Sequence, residues 1–277
     1  MKYLFLLFII ALELFGVVVK SPVVSINEAA AEVTIEIEKI DVGVSGFIVH
    51  RINDMHSVIL KNAIVKSFDA KSKTAKVALS EFNALSNSAL PTSKWSVKIG
   101  DMAVLAFGYT RGLLIAPNEE IYHRITKSSN LQWIHPDIFA TILSFNGHPT
   151  PLRSDFTEMS SSASVGLVFI YLDGRVYTLD AKSFKILTIT DAKLEQKELN
   201  LPFYTRVPEI DAAWWGEGSD ELDEYEPHYY KLMIKANLKN KELYEIVKNG
   251  GEKLKYLLEE FDFEGKKDDR KKTFGLF

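Results

Sequence analysis

Polar and apolar residues alternate along residues 32–40 (EVTIEIEKI) as far as Glu38, so Val33, Ile35 and Ile37 face one way and Glu32, Thr34, Glu36 and Glu38 the other. A period of two marks a half-buried strand. Residues 44–50 (VSGFIVH), 57–65 (SVILKNAIV) and 74–79 (TAKVAL) continue in the same manner, separated by turn-forming N-D and D-A-K-S-K. A further run, MAVLAF, follows the turn Lys98-Ile99-Gly100-Asp101. Short strands at this spacing predict a small barrel or sandwich, over residues 30 to about 115.

The pattern then changes period. In residues 130–146 (NLQWIHPDIFATILSFN), Ile138, Phe139, Ile142, Leu143 and Phe145 form a helical stripe, with Pro136 in the first turn and Gly147 as the stop. Two β-rich runs, VGLVFIYL and RVYTLD, flank Asp173-Gly174, a strong signal for a tight hairpin. Residues 183–190 (SFKILTIT) read as a third strand. Residues 207–226 hold eight acidic residues, no basic one, and the adjacent Trp214 and Trp215. This stretch reads as a linker or docking arm, with the tryptophans as anchors that pin it down; the alternative is that beside the acidic residues they bind a cationic ligand by cation–π contact. The pattern over 229–236 fits a strand or a helix. Asn240 caps a helix through Val247, and a second helix over 252–261 places Leu254, Leu257, Leu258 and Phe261 on one face.

The expected fold class is therefore α+β. A small N-terminal β-barrel or sandwich is followed by a helix and β-hairpin unit and a short helical C-terminal region. The organisation read from the chain is an N-terminal segment 1–21; a domain over 30–190, β-rich to 115 and α+β from 116; an acidic arm over 191–228; a largely helical region over 229–262; and a charged tail over 263–277.

The N-terminus adds a location. Met1-Lys2 is a short positive start, and residues 3–19 are apolar except Glu13. Those are the parts of a secretory signal, with the mature chain expected to start between Val17 and Val23. The alternative is an uncleaved anchor, at the short edge of the ~20 residues a spanning helix needs. Either way the body is expected in the cell envelope, at the outer membrane or cell surface, with the periplasm as alternative.

Composition narrows the chemistry. With 277 residues, no Cys and a net charge of −4, disulfides and thiolate catalysis are excluded, and no overall basic field points to nucleic acid. No P-loop, G-x-G-x-x-G or G-x-S-x-G occurs. The densest reactive grouping is His135, Asp137, His148, Arg153 and Asp155. It could make a metal-dependent hydrolytic site from His135, Asp137, His148 and Asp155, but no metal-ligand spacing such as HExxH is present. The expectation is a non-enzymatic protein with no catalytic residues, metal or cofactor. Glu119 and Glu120, read on a strand, would point to opposite faces.

The segments SGFIVHRIN, SVILKNAIV, GDMAVLAFGYTRGLLIAPNEEIY, WIHPDIFATILSFNGHPTPLRSDF and SVGLVFIYLDGRVY resemble the N-terminal domain of the plasminogen-binding protein PgbA family. LLIAPN, WIHPD and GHPTPL are distinctive together, and the resemblance covers about residues 30–185. It implies a surface-exposed envelope protein with a protein partner, host plasminogen, contacted through C-terminal lysines because kringles read lysine. This chain ends in Phe277, so the ammonium and carboxylate that a kringle pocket recognises must come from internal residues. Lys266, Lys267, Asp268, Asp269, Arg270, Lys271 and Lys272 supply both. On a helix Lys266 would meet Asp269, and Asp268 would meet Lys272.

Overall fold

Alternation decides where five of the first six strands fall, and closure decides how they pair. The computed structural model describes residues 17–82, 95–195 and 198–262. Strands β1 (Val19–Asn27), β2 (Glu32–Glu36), β3 (Ser45–Arg51), β4 (Ser57–Asp69), β5 (Thr74–Glu81) and β6 (Met102–Leu105) form a closed antiparallel barrel in the order β1-β2-β5-β4-β3-β6. β1 closes it by serving two neighbours. Residues 19–22 pair with β6, and Val23 through Asn27 with β2. Pro22, which has no N–H to give a ladder, sits where the pairing switches. The interior is filled by small and β-branched side chains, among them Val33, Ile35, Ile48, Ala63, Val65, Ala75, Val77 and Ala103.

β7 (Arg111–Ile115) leaves the barrel and enters a second, mixed sheet of order β11-β10-β9-β7-β8. β8 (Gln132–Ile134) and β9 (Leu167–Leu172) lie parallel to β7, while β10 (Arg175–Asp180) and β11 (Ile186–Asp191) continue antiparallel from β9. The crossovers are α1 (Glu119–Thr126), then α2 (Pro136–Asn146) with α3 (Arg153–Ala163). Every residue of β9 is buried because both faces are covered. Leu113, Ile115, Val168, Ile170 and Leu179 face α2, α3 and the C-terminal helices, while Leu114, Leu167, Phe169 and Tyr171 face the barrel side. Asp173 and Gly174 have φ of 47° and 71°, so the predicted hairpin turn is a type I′ turn.

The undecided segment near residue 229 is helical, within α4 (Tyr225–Ala236), because Tyr225, Tyr229, Tyr230, Met233 and Ile234 make a buried face. α5 (Lys241–Lys248) is capped by Asn240, whose side chain accepts the Leu243 N–H at 2.9 Å. Glu252–Glu260 is a 3₁₀ helix rather than an α-helix. Its i, i+3 spacing stacks Leu254 and Leu257 directly onto the core. Glu119 and Glu120 also correct the sequence reading. They occupy the first turn of α1, capped by Asn118, where the helix dipole favours them, and not a strand. Among the described residues no helix is long and apolar enough to cross a membrane.

One buried carboxylate joins barrel to sheet. Asp180, at the end of β10 and fully buried, accepts the Ser45 N–H at 2.9 Å and the Tyr109 O–H at 2.8 Å from the barrel side. It also accepts the N–H groups of Lys182 and Ser183 at 3.0 and 2.7 Å. Burial and the adjacent carboxylate push the Tyr109 phenol far above its ordinary pKa, so it stays protonated and donates to Asp180. Ser183 adds a bond to the Gly43 carbonyl at 2.6 Å.

Candidate functional site

The histidines and aspartates that sequence grouped together fall at the two ends of α2, about 16 Å apart for a helix of this length. At the N-terminal end, His135 Nδ1 accepts the Asp137 N–H at 3.2 Å and so caps the helix. Burial holds the His135 pKa below its ordinary value, which suits a neutral ring with a free lone pair. Burial works against charge on Asp137. Yet bonds from the Arg206 N–H and guanidinium and from Thr205 win, and its pKa lies at about 2. Those donors sit at 2.7–2.9 Å. Tyr122 and Tyr204 cover the site, with ring centres 5.3 and 6.1 Å from that of His135.

At the other end, Asp155 is buried and accepts from His148 at 2.8 Å, Asn146 at 3.1 Å and the Leu152 N–H at 2.7 Å. The last bond secures the start of α3. Arg153, from the same grouping, donates to the Ser183 carbonyl at 2.9 Å. Both carboxylates are thus committed to donors that fix loops onto helices. The structure does not bring His135, Asp137, His148 and Asp155 together into one site. Among the described residues no three His, Asp or Glu side chains are grouped so as to hold a metal ion.

The acidic stretch differs from expectation in a way that matters for function. Val207, Ile210 and Leu222 pack on the core, so the arm lies against the body. The tryptophans do not hold it there: Trp214 is 98% and Trp215 82% exposed. Backbone bonds hold the arm instead. Ala213 donates to the Gly147 carbonyl at 2.9 Å, and Asp211 to Ser144 Oγ at 3.1 Å. Gly147, with φ of 71°, ends α2 and admits the arm, since a Cβ there would meet Ala213 at 2.5 Å. Beyond the tryptophans, Thr150 binds the carbonyls of Gly218 and Asp220 at 3.1 and 2.7 Å. Sequence reasoning expected burial because large rings usually seek it. The signal against burial was the flanking run of charge with no apolar period. The basic and acidic residues 266–272 lie outside the described residues.

The geometry defines a class first. This is a barrel fused to a helix-flanked mixed sheet, with its polar clusters spent on structure and its two exposed, adjacent tryptophans on one arm. The chain belongs to the family described as plasminogen-binding protein PgbA, N-terminal, whose profile matches residues 18–233. It is 28% identical over 214 residues to the plasminogen-binding protein PgbA of Helicobacter pylori strain J99, a match covering 73% of this chain and 44% of that protein. The PgbA of Helicobacter pylori strain 26695 is 27% identical over 216 residues, covering 74% of this chain and 44% of the relative. The chain therefore aligns with less than half the length of these curated relatives. No solved structure matches it.

Proposed function

We propose that this chain is an exported envelope protein that binds a protein partner without catalysis, and that the partner is plasminogen. Family membership carries the proposal, since the family's description and both relatives' names are those of plasminogen-binding proteins. The contact is assigned to Lys266, Lys267, Arg270, Lys271 and Lys272 together with Asp268 and Asp269, which pair a cationic head with a carboxylate at close spacing. Salt screens the pairing of such closely spaced opposite charges. Binding is therefore weak, at micromolar concentrations, and competed by lysine analogues. Delivery to the outer membrane or surface rests on the N-terminal segment. Because residues 19–22 form ladder bonds with β6, cleavage beyond Val19 would remove part of β1, so a cleaved chain would start at or before Val19.

Surface-immobilised plasminogen, titrated with the full chain and with a chain lacking residues from Gly265 onward, tests the proposal. Loss of lysine-analogue-sensitive binding in the shortened chain supports it. Equal binding by both moves the contact to the folded body, and absence of binding by either refutes plasminogen as the partner.

A further inference from the structure

The arm carries a surface that the proposed function does not use. Trp214 and Trp215 stand in solvent at the tip of a segment whose backbone is clamped on both sides, at Asp211 and Ala213 before them and at Gly218 and Asp220 after. Phe145, 88% exposed, lies on the stretch of α2 to which the arm is bonded. Large rings held open at this degree of exposure mark interaction sites, since aromatic anchors dominate binding energy when a partner covers them. Beneath the arm runs a groove of about 250 Å³. Its walls include Leu201, Pro202, Val207 and Ile210, and Glu209 and Glu221 also line it.

Charge fixes the occupant. Glu209, Asp211, Glu217, Asp220, Glu221 and Asp223 are exposed and make no ion pair among the described residues. Residues 207–226 carry no basic residue. An anionic lipid surface or nucleic acid would be repelled. A long cationic side chain satisfies both parts of the site. Its alkyl stem lies on the apolar wall of the groove while its head reaches Glu209 or Glu221, and the exposed indoles offer a face to a further cation of the same segment. We propose that the arm and its groove dock a lysine- or arginine-rich segment of a protein partner. The surface is built from residues other than 266–272 and is opposite in charge preference to the contact proposed there.

Calorimetric titration of the full chain with a capped ten-residue peptide of alternating lysine and glycine tests this, against the same peptide with glutamate for lysine. The lysine peptide is expected to bind and the glutamate peptide to fail. The doubles Trp214→Ala/Trp215→Ala and Glu209→Gln/Glu221→Gln should each lower affinity at least tenfold. All four side chains are at the surface, and an unchanged melting temperature would show the fold intact. Binding altered less than twofold by both doubles would overturn the proposal, leaving only diffuse charge attraction. Serine replacement of Lys266, Lys267, Arg270, Lys271 and Lys272 would overturn it differently if affinity rose tenfold, because the chain's own basic segment would then be the occupant. Concentration-dependent dimerisation abolished by the tryptophan double would assign the surface to a second copy and likewise refute a separate basic partner.

Discussion

The barrel and the sheet unit solve the burial problem in opposite ways. The barrel closes on itself, so its interior is filled mainly by small and branched side chains such as Ala63, Val65, Ala75 and Val77, and its outer polar positions stay wet. The sheet unit is layered, and the gap between sheet and helices is filled with rings. Phe139 sits 4.6 Å from Phe156 and 5.5 Å from Phe203, centre to centre, and Phe156 lies 5.1 Å from Phe184. Buried tyrosines complete the layer with their hydroxyls bonded, Tyr229 to the Pro202 carbonyl at 2.8 Å and Tyr230 to Asp173 at 3.0 Å. Backbone closure carries the first region. Aromatic packing carries the second, which makes it the more sensitive to loss of a single side chain.

That difference is broken most severely at Phe139. Phe139→Ala removes the ring shared by two aromatic neighbours and should cost about 3–5 kcal/mol in denaturant unfolding. A barrel position such as Ile35→Val should cost only about 1 kcal/mol. Equal losses would mean that the two cores are not organised differently. Asp180 tests what joins the regions. Asp180→Ala strands the Ser45, Lys182 and Ser183 N–H groups and the Tyr109 hydroxyl, a cost of about 2–4 kcal/mol. Hydrogen exchange should then show residues 41–46 and 180–185 opening before either core. Uniform protection in the variant would show that apolar contact alone holds the regions together.

Legibility followed the same division. Barrel strands β2 to β6 were readable because one face is wet and alternation survives. β1 was not, since its first residues continue the apolar N-terminal run and its role in closing the barrel is a long-range pairing. The DG hairpin was readable from two residues. Gly174→Val should cost roughly 1–2 kcal/mol of domain stability by forcing a β-branched residue to positive φ, and a neutral result in thermal unfolding would refute the turn assignment. What hid the rest was distance along the chain. Asp180 reads as an ordinary residue of TLDAKSF, and its partner Ser45 lies 135 positions away. The separation of the histidine grouping was hidden for the converse reason, since residues near in sequence are held apart by the length of α2. The arm's charge was legible, but the outward direction of its tryptophans was not.

The smallest expected effect concerns the loop that Asp137 ties to α2. Its carboxylate has a pKa of about 2, held down by Arg206 and Thr205 against the penalty of burial, whereas an unfolded aspartate titrates near ~4. A carboxyl whose folded pKa is depressed binds fewer protons folded than unfolded. Its contribution is therefore fully present above about pH 4 and fades as pH falls toward 2. Protonation would free the Arg206 guanidinium, which is exposed and screened, so global stability should change little. The loop should respond more than the core. Between pH 4 and 2, amide exchange at Arg206, whose N–H is bonded to Asp137 at 2.8 Å, should gain more, after correction for intrinsic rates, than exchange at Val168 in β9. In Asp137→Asn that pH-dependent gain should vanish, the loop being loosened already at neutral pH. An unaltered pH profile in Asp137→Asn would show that another group governs the loop, and would leave Asp137 as a helix-start residue only.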